Sequence, residues 1–430
     1  MKRIISIILI ILILGAGSGF AYEPEVHDFG GKTINIVSWG AREPSEGSAV
    51  YDRLLQAEKD FNVNVEYKVI KNKKIIEQTM SQVMSGDGNI NIIQLRTDTT
   101  YLPLAAQGAL HPLDKILGEK YYEDLPRPWK GKSGLADSFE VQGHTYATYS
   151  MSPPYMSTKI LIWNKDLFER EGLPSLYDLM ESGKWTWSKL REIATQATRD
   201  TNGDDEIDQW GIGGHFTGST VLSNLVTNNV SPTKTVDGKV KFNLDHENVL
   251  SILDNMYKLV SVDNAVHFHK WFDTSPFDNG KEAIRFVPVW QTNKFNRESV
   301  DYGLAYLPKG SEAKEYVAPI NSVAGMAVPI TEENPKALID LLHAIYPPEY
   351  VFEKIERFAA AQSDRESYEL FKEITKNWEL VSQYKYVFRK NFLLTHSIGS
   401  IINGEKSPST GMSEIAPQVQ SRLNDLLGQE

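Results

Sequence analysis

An α/β fold in two successive units is what this sequence predicts, and three observations carry the prediction. Strand-like and helix-like hydrophobic spacings alternate from Thr33 onward, a second run of such elements opens near Ile160, and a length of 430 residues suits two or three domain units. The amino terminus stands apart from this pattern. Lys2 and Arg3 precede a nearly unbroken apolar run from Ile4 to Leu14, and the stretch from Gly15 to Ala21 is rich in small residues, with Gly19 and Ala21 where a signal peptidase reads. The run is shorter than the ~20 residues a spanning helix needs, so residues 1–21 are expected to be a cleaved secretory signal peptide.

The mature chain then reads element by element. Ile34 to Trp39 is a buried strand, and Val50, Leu54, Ala57 and Phe61 recur at helical spacing. Val63 to Val69 alternates as a second strand, Ile75 to Met84 is helical, and Gly86 and Gly88 break that helix. Ile90 to Leu95 is a third strand and Tyr101 to Gln107 the next helix. This βαβαβ order implies a right-handed parallel sheet, whose ligands sit beyond the carboxyl ends of the strands, at Gly40 to Glu43 and Arg96 to Thr100. Val141 to Tyr149 resembles a hairpin around Gly143, Ile160 to Trp163 a strand, and Trp187 to Thr198 a helix with Leu190, Ala194 and Ala197 inward. Glu247 to Val260 is amphipathic through Leu250, Leu253, Met256 and Val260. Ile284 to Val289 forms a strand ending at Trp290, and the chain from Asn334 onward is mostly helical.

Composition narrows the chemistry. The chain has no cysteine, which removes disulfides, thiolate nucleophiles, Cys-ligated zinc and lipid-modified cysteine anchors. Its 45 Lys and Arg against 56 Asp and Glu give a formal charge of −11, with the basic residues dispersed, so nucleic acid is not an expected partner. Acidity, secretion and the lack of cysteine suit the periplasm of a two-membrane bacterium. Phosphate-loop, dinucleotide, serine-hydrolase and zinc-protease motifs are missing from the sequence. His267 and His269 alternate as on a strand, but a lone H-x-H lacks a third ligand nearby, and the pair reads as surface or core histidines.

Two features remain. The turn Asp200 to Asp208 places Asp200, Asn202, Asp204 and Asp208 at alternate positions, as in the first part of a calcium loop. Asp205 stands in place of the turn glycine and Gly211 in place of the bidentate Glu, so a solvated acidic turn competes with a structural calcium. No cofactor is required. The 9 Trp, 19 Tyr and 17 Phe supply flat faces of the kind that pack on sugar rings. Most tryptophans serve as packing residues, and position selects Trp39 and Trp290, each closing a strand, over Trp129, Trp271 and Trp378.

Several segments, in order along the mature chain, resemble the extracellular solute-binding proteins of bacterial ABC importers, in the carbohydrate group that is maltose-binding-protein-like. They include Gly31-Lys32-Thr33-Ile34, Asn91-Ile92-Ile93 through Asp98 to Gln107-Gly108-Ala109-Leu110, and Ile162-Trp163-Asn164-Lys165-Asp166-Leu167-Phe168. Further along come Gly280-Lys281-Glu282-Ala283, Pro288-Val289-Trp290, and Ser322-Val323-Ala324-Gly325-Met326. The resemblance implies a two-lobe periplasmic-binding-protein fold with hinge strands and a ligand cleft between the lobes. Lobe 1 would comprise 31–152 and about 318–365, and lobe 2 about 153–317 and 366–430.

By the same resemblance Asp98 matches a carboxylate that hydrogen-bonds sugar hydroxyls, and Trp290 matches a stacking tryptophan. Leu95, Ser157 and Gly40-Ala41-Arg42 depart from the maltose-binding pattern, so maltose itself is not expected. The expectation is a monomeric periplasmic protein that catalyses no reaction, holds a sugar or oligosaccharide, and delivers it to an ABC permease in the inner membrane. Trp39, Trp290 and Tyr155 would be stacking surfaces, with Asp98 and Arg42 as polar clamps. A secreted carbohydrate-active enzyme, and a binding protein for another polar solute such as a glycerophosphodiester or a polyamine, stay open as alternatives.

Overall fold

The computed structural model describes residues 22–429, apart from 41, 42, 215, 217, 271, 311, 312 and 390–392. The expected signal peptide and Arg42 therefore lie outside the described residues. The first sheet grows from β1 (Lys32–Ser38), β2 (Val63–Val69) and β3 (Ile92–Arg96), with β1 parallel to both of the others. Val63 and Val65 are buried while Asn64 and Glu66 are exposed, the alternation of an edge strand with one face on the core. Between the strands run α1 (Ala49–Asp60) and α2 (Asn72–Ser85). Ser48 caps α1 by accepting the Tyr51 N–H, and α2 stops at Gly86, whose φ of 77° suits a residue without Cβ.

After β3 comes α3 (Tyr101–Ala106), and then the small hairpin of β4 (Glu140–Val141) and β5 (His144–Thr145) at Gly143. The second sheet begins with β6 (Lys159–Asn164) and β7 (Trp210–Gly213). A separate hairpin, β8 (Thr233–Val236) and β9 (Lys239–Phe242), is followed by β10 (Val266–His267), β11 (Glu282–Pro288) and β12 (Tyr302–Ala305). The five strands of this sheet lie in the order β10-β7-β11-β6-β12. Alternation on β6 serves two cores at once, since Ile160 and Ile162 join the hydrophobic cluster of the first sheet while Leu161 and Trp163 join that of the second.

The chain returns through β13 (Ala318–Ile320) to β14 (Ala324–Ala327), which pairs antiparallel with β3 and completes the order β14-β3-β1-β2. Thr148 bridges Met326 and Thr158 bridges Ile320, so the outward and return crossings between the sheets run side by side. Late in the chain β15 (Trp378–Leu380) pairs with β13, and Phe371, Ile374 and Trp378 pack in the cluster of the first sheet. This is the two-lobe arrangement with crossing strands, and its remaining carboxy-terminal helices cover the second sheet. Among the described residues no helix is long and apolar enough to cross a membrane.

Two local expectations change. The helix from Glu247 ends its α-helical part at Tyr257 and continues as a wider turn over Lys258–Val262, and Leu250 and Val260 are half-buried while Leu253 and Met256 are buried. The late strand stops at Pro288, so Trp290 sits in the 3-10 turn Val289–Lys294 and does not close the strand. Val289 N–H is already spent on the Thr158 carbonyl, and Pro288 has no N–H with which to extend the ladder.

One buried group sets an acid limit on this fold. His343 lies among the rings of Tyr22, Tyr121 and Tyr149, with Nε2 at 2.7 Å from the Tyr121 hydroxyl. Burial pushes its imidazole down to about 3, with Asp340 opposing and Lys336 reinforcing the shift. The unfolded chain takes up that proton near 6.5, so between about 6.5 and 3 it binds more protons than the folded state. Stability is therefore whole above pH 6.5 and is lost as pH falls, on the order of 3 kcal/mol by pH 4 from this group. Denaturant unfolding of His343→Phe should show a flatter profile over that window than the parent; parallel profiles would contradict the assignment.

Candidate ligand-binding cleft

The carboxyl end of β3 turns sharply, and the turn explains where Asp98 goes. Thr100 Oγ1 accepts the Arg96 N–H at 3.0 Å, while Thr97 exchanges two hydrogen bonds with Val323 of the return crossing. Asp98, 2% exposed, is thereby placed beneath Arg96, which donates to it through Nε at 3.0 Å and Nη2 at 3.1 Å. Ser322 adds a third donor at 2.7 Å. The Arg96 guanidinium also stands 5.5 Å from the ring of Trp39, the residue that follows β1. Asp98 thus holds Arg96 at the sheet edge.

Two adjoining chambers open there, of about 460 and 430 Å³, and share Arg96, Ser157, Trp290 and Ser322. Trp39, Tyr155, Lys354, Arg357 and Phe358 complete much of the first chamber. Asp98, Lys159, Ser219, Asn321, Lys385 and Phe388 line the second. Both sizes fall within the range of small-molecule sites. The chambers lie between the lobes, because Trp39 and Arg96 belong to the first sheet, Lys159 and Trp290 to the second, and Asn321 and Ser322 to the crossing. A larger cavity of about 700 Å³ elsewhere is lined by polar groups such as Asp137, Glu140 and Thr235 and brings none of these residues together.

The sequence of residues 41–351 matches the family described as bacterial extracellular solute-binding protein. The chain belongs to that family. No curated protein matches it in sequence. Among solved structures it is similar to a sugar transporter from Rhizobium etli in an open conformation, at 17% identity over 90% of this chain and 99% of that one, with a TM-score of 0.67. A cyclic alpha-maltosyl-1,6-maltose binding protein from Arthrobacter globiformis shares 15% identity over 91% of this chain and 99% of its own, with a TM-score of 0.66. The maltose/maltodextrin-binding domain from Bdellovibrio bacteriovorus bound to maltotriose shares 17% identity over 91% of this chain and 100% of that one, with a TM-score of 0.61. At these identities the likeness is one of fold.

Four of the residues singled out in the sequence of this solute-binding protein meet in the cleft, Trp39, Asp98, Tyr155 and Trp290. Trp290 is 36% exposed and offers its indole to both chambers. Tyr155 lines the first chamber but is only 1% exposed, with Phe371 edge-on at 5.6 Å, so it contributes wall more than a free face. Trp129 and Trp378 are fully buried and donate their indole N–H groups to the carbonyls of Pro348 and Pro128.

Beyond Arg96, which the strand-end rule placed at the ligand edge, the basic residues of the cleft were not found in the sequence. Lys159 opens β6, and burial pushes its ammonium down to about 7. Lys354 is pushed down to about 8 by burial and by the nearby Arg357. Lys385 donates to the Asn321 side chain at 2.6 Å and to its carbonyl at 3.0 Å, while Ser219 reaches the same Asn321 oxygen at 3.0 Å. A carboxy-terminal helix and the helix Gly218–Val226 are thereby tied to the return crossing.

Neither chamber includes the turn from Asp200. There the Asp200 carboxylate accepts the N–H groups of Asn202, Gly203 and Asp205, and Asp208 accepts the Thr201 hydroxyl and N–H. These bonds hold both carboxyls below the usual range, that of Asp200 chiefly through the Gly203 N–H and that of Asp208 chiefly through the Thr201 hydroxyl. His267 and His269 do find a third group, Glu282 of β11, which reaches across the intervening β7 and whose Oε1 is 3.1 Å from each. The Arg285 guanidinium stands 3.5 Å from the other Glu282 oxygen, a positive charge that opposes a divalent ion and makes this a buried charge network.

Proposed function

We propose that this protein is the binding component of a bacterial carbohydrate importer, holding a sugar or oligosaccharide between its lobes and presenting it to an ABC permease. The reading places it in the periplasm as a monomer that releases its ligand unchanged. The observation that carries it is that Trp39 and Trp290 line one chamber together with Arg96 and Ser322. Indole faces pack against the C–H faces of sugar rings while the polar groups meet the hydroxyls. The Rhizobium, Arthrobacter and Bdellovibrio proteins, named for sugars, support the same class of solute. Glycosidases work with two carboxyl groups. Asp98 is the one carboxylate among the described residues lining the chambers, and its engagement with Arg96 and Ser322 favours binding over hydrolysis.

A thermal-shift panel of mono- and oligosaccharides tests the reading. A true ligand at ~100 times its Kd adds ~2.7 kcal/mol of stability. The same ligand should reduce the radius of gyration, since it touches both lobes and draws the open form toward the closed. A panel in which no sugar moves the melting temperature would remove the carbohydrate reading.

A structural calcium held by Asp200, Asn202, Asp204 and Asp208 is the second part of this proposal, supported by two carboxyls kept ionised on one tight turn. Melting temperature should fall on adding chelator while sugar affinity stays the same. Identical melting curves in calcium and in chelator would leave the turn held by its own amides alone.

A further inference from the structure

The cleft carries the opposite charge to the molecule around it. The chain has 56 acidic against 45 basic residues. Its two chambers are nevertheless lined by Arg96, Lys159, Lys354, Arg357 and Lys385, with Asp98 as the only acid among the described lining residues. Resting on the carbohydrate reading, we infer that the ligand is an anionic carbohydrate, an oligosaccharide bearing carboxylate or other oxyanion groups on its rings. These five cations come from β3, β6, the helix Tyr350–Ala359 and the helix Lys385–Arg389, so four separate elements deliver like charge to one space.

The placement fits such a ligand in detail. Asp98 occupies the Nε and Nη2 positions of Arg96, which leaves Nη1 uncommitted among the described residues. Arg357 is exposed at the rim of the first chamber and has no ion-pair partner among the described residues. Lys159 and Lys385 are buried at 7% and 4% exposure in the second chamber. Hydrogen bonds from ammonium and guanidinium groups to an oxyanion are charge-assisted and about twice as strong as those to neutral hydroxyls. The lowered pKa of Lys159 comes from burial, and an arriving anion would restore its charge. Cations in both chambers suit anionic groups on more than one ring.

Titration calorimetry on the full mature chain with matched probes tests this. The probes are a galacturonate trisaccharide, the neutral galactose trisaccharide of the same linkage, a sulfated disaccharide and glucose 6-phosphate, with inorganic phosphate as the non-sugar arm. At least one charged sugar should bind about tenfold or more tighter than the neutral trisaccharide, with an affinity that weakens as salt is raised. Which charged probe wins tells a carboxylate from a sulfate or phosphate ester. Arg357→Gln should weaken that probe about fivefold, with an unchanged melting temperature and less dependence on salt. A neutral trisaccharide bound as tightly as any charged one, with no salt dependence, would overturn the anionic inference and leave the carbohydrate reading standing. Binding of inorganic phosphate alone, or of no probe, would overturn both.

Discussion

Trp290→Ala lowers affinity for the cleft's ligand about thirtyfold or more, a loss of about 2 kcal/mol, and leaves the unliganded protein melting close to the parent. The indole is 36% exposed in the turn after β11, with Phe272 as a loose ring neighbour at 6.3 Å, so its removal opens no core cavity. What it removes is the face shared by both chambers. Trp187→Ala is the opposite case. That residue is 5% exposed in the helix Trp187–Ala197 and lines neither chamber, so it should cost stability and spare affinity. Equal affinities for the parent and Trp290→Ala, measured by titration calorimetry, would move the site away from this turn.

Trp378→Ala lowers folding stability by about 3 to 5 kcal/mol. The indole is fully buried, its N–H donates to the Pro128 carbonyl at 2.8 Å, and its own carbonyl accepts the Lys132 N–H at 2.8 Å. Gly131 fits against it with a φ of 61°, and a Cβ there would fall 2.4 Å from the Trp378 carbonyl oxygen and ring. Trp378 also pairs with Ala318 at the start of β13, the strand that leads to Asn321 and Ser322. Part of the lost stability should therefore appear as looser ligand binding. Equilibrium unfolding in denaturant measures the first effect, and a change below about 1 kcal/mol would mean that the indole is not packed as described.

The first sheet was legible because its strands and helices each follow one hydrophobic period and glycines punctuate them, as Gly86 does after α2. Trp39 and Asp98 were legible because ligands gather beyond the carboxyl ends of parallel strands. The role of Asp98 was less so: its partner Arg96 lies only two residues away, but the pair forms because the turn at Thr97 to Thr100 is pinned to Val323, far along the chain. The basic lining was hidden for the same reason. Lys159, Lys354 and Lys385 are ordinary residues locally, and the crossings between the sheets bring them together. One local signal did exist, since Lys159 heads the otherwise apolar run Ile160 to Trp163. Glu282 escaped notice beside His267 and His269 because the contact is made across a sheet rather than along one strand.

The central claim is that ligand binds between the lobes, against Trp39, Trp290 and Arg96. A crystal structure of the protein with the tightest sugar from the binding panels tests it most directly. The expected result is a sugar ring seated on the Trp290 indole, with an oxygen within hydrogen-bond distance of Arg96. A sugar bound instead in the larger polar cavity beside Glu140 and Thr235, with the cleft unchanged, would contradict the account.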